Sequence, residues 1–213
     1  MGTYNKGILG AFSGKVGPVV GANWRGKDVL RSLPKKSKKE PTEVQLRQRQ
    51  KFAFVTAFLT PLTPMMGRYF GQKSGDRSKR NMAMSYHMKE AVTYNGAEWE
   101  MVYPKVQISK GELLGVAVPV ATAEAGGIIR LEWKNNSGQA TAKADDELVA
   151  VVYDPLNKTS EMFFKVGLRA DEQGELQVHD SLIGMEVHCW IAFVSTDEKR
   201  YATSNYLGTI KVL

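Results

Sequence analysis

Through residues 1–33, short apolar runs are cut by glycines at 2, 7, 10, 14, 17, 21 and 26. Lys15 to Val20 and Trp24 to Leu33 read as two strands joined at Gly21-Ala22-Asn23, an irregular β-hairpin with Gly26 at a bulge. Pro34 to Pro41 is bounded by prolines and too basic to pack inside, which predicts a linker. Thr42 and Gln45 then stand at the spacing of a capping box, in which the hydroxyl accepts from a first-turn N–H and the amide reaches back. Beyond them Phe52, Val55, Leu59, Leu62 and Met66 recur at helical spacing, and Phe54 and Phe58 widen the apolar face. Pro61 and Pro64 should end or kink this helix near Thr60. A second helix is predicted from Ser78 to about Thr93, so that the two make a helical hairpin.

From Trp99 the texture changes to short alternating runs. Trp99/Met101/Tyr103, Val106/Ile108 and Ile129/Leu131/Trp133 alternate, and a further apolar run covers Leu113 to Val118. Leu148 to Tyr153 is almost continuously apolar, Met162 to Val166 and Leu176/Val178 are shorter, Val187/Cys189/Ile191/Phe193 alternates, and Tyr206 to Val212 closes the chain. Seven or eight strands with turn signals every 8–12 residues predict a β-sandwich. The expected fold is therefore α+β: a β-hairpin and helical module over residues 1–98, then an antiparallel sandwich over 99–213.

Composition narrows this picture without changing it. With 213 residues, 43% of them hydrophobic, and eight Phe, eight Tyr and four Trp, the chain has enough apolar matter for a self-sufficient core. The lone Cys189 excludes a disulfide framework and any multi-cysteine zinc site. No secretory leader or spanning segment is read, so cytoplasmic location is the default expectation, with export as part of a particle left open. Charge adds more. The net +7 resolves into 20 basic and 7 acidic side chains in residues 1–110, against 9 and 15 in residues 111–213. Such a split points to an anionic partner for the first part or to contact between opposite charges.

Gly10-Ala-Phe-Ser-Gly14-Lys15-Val16 approaches a phosphate-cradling loop, but it has three residues between its glycines and Val where a metal-holding hydroxyl is needed. Tight glycine turns explain it better. His87, His179 and His188 do not stand at metal-pair spacing; His188 and Cys189 adjoin in a strand and point to opposite faces. Cys189 reads as a small core residue, and Asp145-Asp146-Glu147, Asp154, Asp171, Glu172 and Glu175 read as solvated turns. No catalytic residue, cofactor or metal ligand is predicted. The basic segment stands above this background, and Trp24, Arg25, Arg31, Arg47, Arg49 and Lys51 are the residues expected to make contacts.

The order of motifs is itself distinctive. Lys6 to Gly21, Trp24-Arg-Gly26 with Arg31 and Pro34, Pro41 to Gln45 with Arg49 and Phe52, Asn81 to Tyr86, Ile129 to Trp133 and Ser204 to Gly208 together resemble a family of uncharacterised bacterial proteins of about this length. That resemblance, to a domain of unknown function, implies no catalytic residue. The second half also resembles immunoglobulin-like or fibronectin type III sandwiches in layout, with Trp133 on an early strand and a central Leu148–Tyr153 strand. Together these readings imply a non-enzymatic structural or protein-interaction module, with protein partners or self-association expected. Nucleic-acid or polyanion binding through the basic part and a phage-like assembly role are the alternatives.

Overall fold

A computed structural model of the protein describes residues 10–24, 26–35, 39–72 and 77–213, and the backbone alone of 3–4. Four antiparallel strands open it as a meander: β1 (Thr3–Tyr4), β2 (Phe12–Val16), β3 (Val19–Trp24) and β4 (Lys27–Ser32), hydrogen-bonded in that order. The reversal between β2 and β3 lies at Gly17-Pro18, where Gly17 takes φ +58°, a left-handed conformation that suits glycine. The turn expected at Gly21-Ala22-Asn23 is instead interior to β3, and Gly26 belongs to the connection before β4 rather than to a bulge. The two-residue loop at Gly17-Pro18 starts four residues before the turn that the apolar pattern suggests, because Gly17 can take the positive φ that this tight reversal requires.

Three helices follow: α1 (Glu43–Leu59), α2 (Thr63–Tyr69) and α3 (Lys79–Glu90). The capping box forms as expected, with the Gln45 N–H donating to Thr42 Oγ1 at 3.4 Å and the Thr42 N–H donating to Gln45 Oε1 at 3.2 Å. The prolines do more than end a helix. Pro64 lies in the first turn of α2, where a missing N–H is harmless, so the expected helical hairpin has a third member. Ser78 caps α3 by accepting from the Asn81 N–H at 3.2 Å. The apolar stripe of α1 is buried from Val55 onward, at Val55, Phe58 and Leu59; Phe52, a turn earlier, is exposed.

A short hairpin, β5 (Val92–Tyr94) and β6 (Trp99–Met101), precedes seven strands: β7 (Ala117–Glu124), β8 (Ile128–Lys134), β9 (Glu147–Asp154), β10 (Thr159–Phe163), β11 (Gln173–Gln177), β12 (Glu186–Val194) and β13 (Asn205–Lys211). Val106 and Ile108 are buried but lie outside any strand, and the strand expected from Leu113 begins at Ala117. The seven strands form two antiparallel sheets, ordered β11-β8-β7 and β10-β9-β12-β13, which is the three-on-four layout of a fibronectin-like sandwich. Ile129, Leu131 and Trp133 of β8 meet Leu148, Ala150 and Val152 of β9 and Val187, Cys189, Ile191 and Phe193 of β12 in the core between the sheets.

The alternate residues of β9 and β12 are buried as well. Val149, Val151 and Tyr153, with Trp190, Ala192 and Val194, share a second core with Val55, Phe58, Leu59, Leu62, Met65, Met66, Tyr69 and Phe70 of the helical segment. Helices thus cover the outer face of the four-stranded sheet, which explains why these central strands read as continuous apolar runs. Ser160 of β10 donates to the Pro61 carbonyl at 3.0 Å and ties the α1–α2 corner to the sandwich. The chain divides into two compact units, Met1–Leu46 and Arg47–Leu213, so the boundary expected at 98/99 falls within the second unit. The shared core is the reason: most of the helical segment and the sandwich bury each other.

Candidate interaction surface and aromatic cleft

In an antiparallel sheet directly opposed residues project on the same face. The register pairs Trp24 with Lys27, Ala22 with Val29, Val20 with Arg31, and Lys15 with Val20. Trp24, Lys27, Val29, Arg31 and Lys15 therefore lie on one face of the N-terminal sheet. Arg25 lies outside the described residues. The other face carries Val16, Val19 and Leu30, and there a Cβ on Gly21 would fall 2.0 Å from the Phe12 carbonyl oxygen, so only glycine fits.

This sheet buries little. Among the described residues of Met1–Leu46 only Gly21 is buried, while Trp24 is 57% and Leu30 66% exposed, and every residue of β4 faces solvent. The charge follows the same division. Residues 1–46 hold 9 basic and 3 acidic side chains, and residues 47–213 hold 20 and 19, so nearly all of the net +7 belongs to the smaller unit.

The three basic residues expected on α1 do not project together. Arg47 and Lys51, one turn apart, reach the β5–β6 hairpin: the Arg47 guanidinium lies 5.9 Å from the Tyr94 ring centroid and Lys51 Nζ lies 5.1 Å from that of Trp99. Arg49, two positions from each, faces away from that stripe and is exposed.

Beside this hairpin the second unit holds a cleft of about 380 Å³, walled by Phe54 and Phe58 of α1, Trp99 and Met101 of β6, Tyr103, and Tyr153 of β9. Ala57, Glu98, Glu100, Pro155 and Lys158 complete it. The Phe58 ring meets Tyr153 edge-on with centroids 5.0 Å apart and Tyr103 at 6.2 Å. Burial pushes the Tyr153 phenol up to about 12 and raises that of Tyr103, so both remain neutral hydroxyls. Beneath them Tyr103 stacks on His188 at 3.6 Å between centroids, and the Tyr206 hydroxyl lies 2.8 Å from His188 Nδ1. Sequence reasoning missed this cleft, since its walls come from three separate segments, around residues 54–58, 98–103 and 153–158, and only Trp99, Met101 and Tyr103 form a visible pattern.

The remaining candidates have structural work. Gly14 and Lys15 lie on strand β2, which is followed by β3 and not by a phosphate-binding helix. His87 is fully buried; its Nδ1–H donates to the Ala83 carbonyl at 2.8 Å and its Nε2 accepts from the Gln107 N–H at 3.3 Å. Cys189 is buried, and desolvation pushes its thiol up to about 12. Asp146 and Asp154 are each only 1% exposed, which corrects the expectation of solvated turns. Asp154 accepts from the Leu156 N–H at 2.8 Å and shapes the β9–β10 turn, whereas Asp146 pairs with Arg169. Glu172 accepts from the Asn135 N–H at 2.7 Å, and Glu175 pairs with Arg130 at 2.9 Å.

Among the described residues no group of three or more His, Cys, Asp or Glu side chains is placed to hold a metal ion, and no helix is long and apolar enough to cross a membrane. No curated protein matches the chain. Among solved structures it is similar to the fn3 domain of the human collagen alpha-1(XX) chain, at 8% identity and a TM-score of 0.34, over 49% of this chain and 88% of that one. A family model matches residues 11–208, and the chain belongs to that family, DUF6266, a family of unknown function.

Proposed function

We propose that the protein is a non-enzymatic interaction module in which the N-terminal sheet contacts an acidic partner protein and the sandwich unit serves as a rigid carrier. One observation supports this most: a four-stranded sheet with Trp24, Leu30, Val29 and Val16 exposed and only Gly21 buried among its described residues. A sheet gains independent stability by covering an apolar face, and exposed apolar patches ringed by charge mark contact surfaces. The excess of six positive charges in residues 1–46 selects an acidic surface. Comparative capture by the full chain tests the reading. A partner held by the wild type and by Phe52→Ser, but lost with Trp24→Ser or Leu30→Ser, supports it; no capture, or equal capture by all four proteins, sinks it.

A second reading is polyanion binding, favoured by Lys15, Lys27 and Arg31 sharing one face with Trp24. Retention on DNA or RNA at low salt, falling steeply as salt rises and weakened by Arg31→Ser, favours it. Absence of retention at low salt removes it.

A further inference from the structure

We propose that the cleft beside β6 binds a small alkylated ammonium ligand, using its aromatic walls and the carboxylates of Glu98 and Glu100. The proposal concerns the second unit alone and does not depend on the role of the N-terminal sheet.

The volume of about 380 Å³ is that of a small-molecule site, for which about 300–1,000 Å³ is usual. Its walls supply five aromatic rings, from Phe54, Phe58, Trp99, Tyr103 and Tyr153. Aromatic faces attract cations through their quadrupoles, and this recognises alkylated ammonium groups best because such ions carry their charge under an apolar shell and shed water cheaply. The acidic residues of the lining are Glu98 and Glu100, both exposed, set against one base, Lys158. Lys51, whose Nζ stands 5.1 Å from the Trp99 ring centroid, balances the second carboxylate, so the aromatic rings and not the net charge select a cation here. Glu100 is oriented by Asn95 Nδ2, which donates to its Oε1 at 2.5 Å.

The chain itself performs the same chemistry next door. Lys51 Nζ stands over Trp99 and the Arg47 guanidinium over Tyr94, while Tyr94 and Trp99 pack together with centroids 4.9 Å apart. The hairpin thus already accepts two cations on its aromatic rings, and beyond Trp99 the cleft offers four further rings, from Phe54, Phe58, Tyr103 and Tyr153, to a third from solvent.

The test compares choline with 3,3-dimethylbutan-1-ol, which has the same shape without the charge. Binding to the full chain is followed by amide chemical shifts and by tryptophan fluorescence, with Trp99→Phe assigning the optical signal. Choline should bind more tightly than the alcohol and shift the amides of Glu98 to Met101. The double variant Glu98→Gln/Glu100→Gln, at two exposed positions, should weaken choline by about fivefold, while Lys158→Met should tighten it. Equal binding of the two compounds, no binding of choline up to tens of millimolar, or shifts confined to other regions would each overturn the proposal.

Discussion

Arg169 and Asp146 form an ion pair 3.1 Å long whose side chains are 0% and 1% exposed, at the edge of the sandwich core. Every nitrogen of the guanidinium is engaged: it also donates to Asn136 Oδ1 and to the Leu114 and Gly115 carbonyls, and it lies 3.9 Å from the Phe193 ring centroid. One arginine therefore fastens the segments around residues 114, 136 and 146 to β12. Burying both charges is costly in itself, so the pair is better understood as fixing the arrangement than as adding net stability.

Arg169→Met should accordingly be severe, because it leaves Asp146 buried with no counter-charge. A loss of about 3–5 kcal/mol in unfolding free energy is expected from urea titration. The double variant Arg169→Met/Asp146→Leu should lose less than Arg169→Met alone, since it removes the stranded carboxylate. A single variant within about 1 kcal/mol of wild type would mean that the pair does not hold the fold.

His87 gives the stability a definite pH dependence. Burial lowers its folded value to about 4 from 6.5, and both ring nitrogens are satisfied in the neutral form alone. The unfolded chain therefore binds the proton first as pH falls. The contribution is whole above pH 6.5 and drains as pH drops to about 4, a loss of about 3 kcal/mol across that window. His188, also lowered by burial, acts with the same sign. Urea midpoints at several pH values should show a shallower decline in His87→Gln than in wild type; parallel curves would rule the assignment out.

Gly21→Ala tests the N-terminal sheet. The new Cβ would fall 2.0 Å from the Phe12 carbonyl oxygen and 2.8 Å from its ring, so β2 and β3 must separate locally. Amide exchange in β2 and β3 should accelerate by about tenfold or more. Gly17→Ala, where a Cβ meets nothing within 4 Å, should cost less despite its left-handed φ of +58°. Unchanged exchange in Gly21→Ala would show that the close approach does not constrain the sheet.

The alternation of Ile129/Leu131/Trp133 and of Val187/Cys189/Ile191/Phe193 was enough to place two strands and their inward faces, because side chains alternate along any strand whatever it pairs with. The cap at Thr42 and the stop near Thr60 were legible for a similar reason, since both are settled within one helical turn. The first sheet was harder. Apolar residues sit on both of its faces, so the period gave no register: Gly21, read as a turn, lies inside β3, and the reversals fall at Gly17-Pro18 and at Gly26. The six expected contact residues separate accordingly: Trp24 and Arg31 share a sheet face, whereas Arg47 and Lys51 rest on Tyr94 and Trp99.

By itself the sequence determined the α+β class, the caps and stops, the strand-rich second half and the concentration of positive charge near the start, since each depends on neighbours a few residues apart or on composition. Only the tertiary structure decided that most of the helical segment belongs with the sandwich, that the boundary between the two compact units falls after Leu46, and that five aromatic rings from three segments enclose a cleft. Those outcomes depend on which buried faces meet. A face is chosen by long-range packing of Val149, Val151 and Trp190 against Val55 and Phe58, and no local pattern encodes that choice.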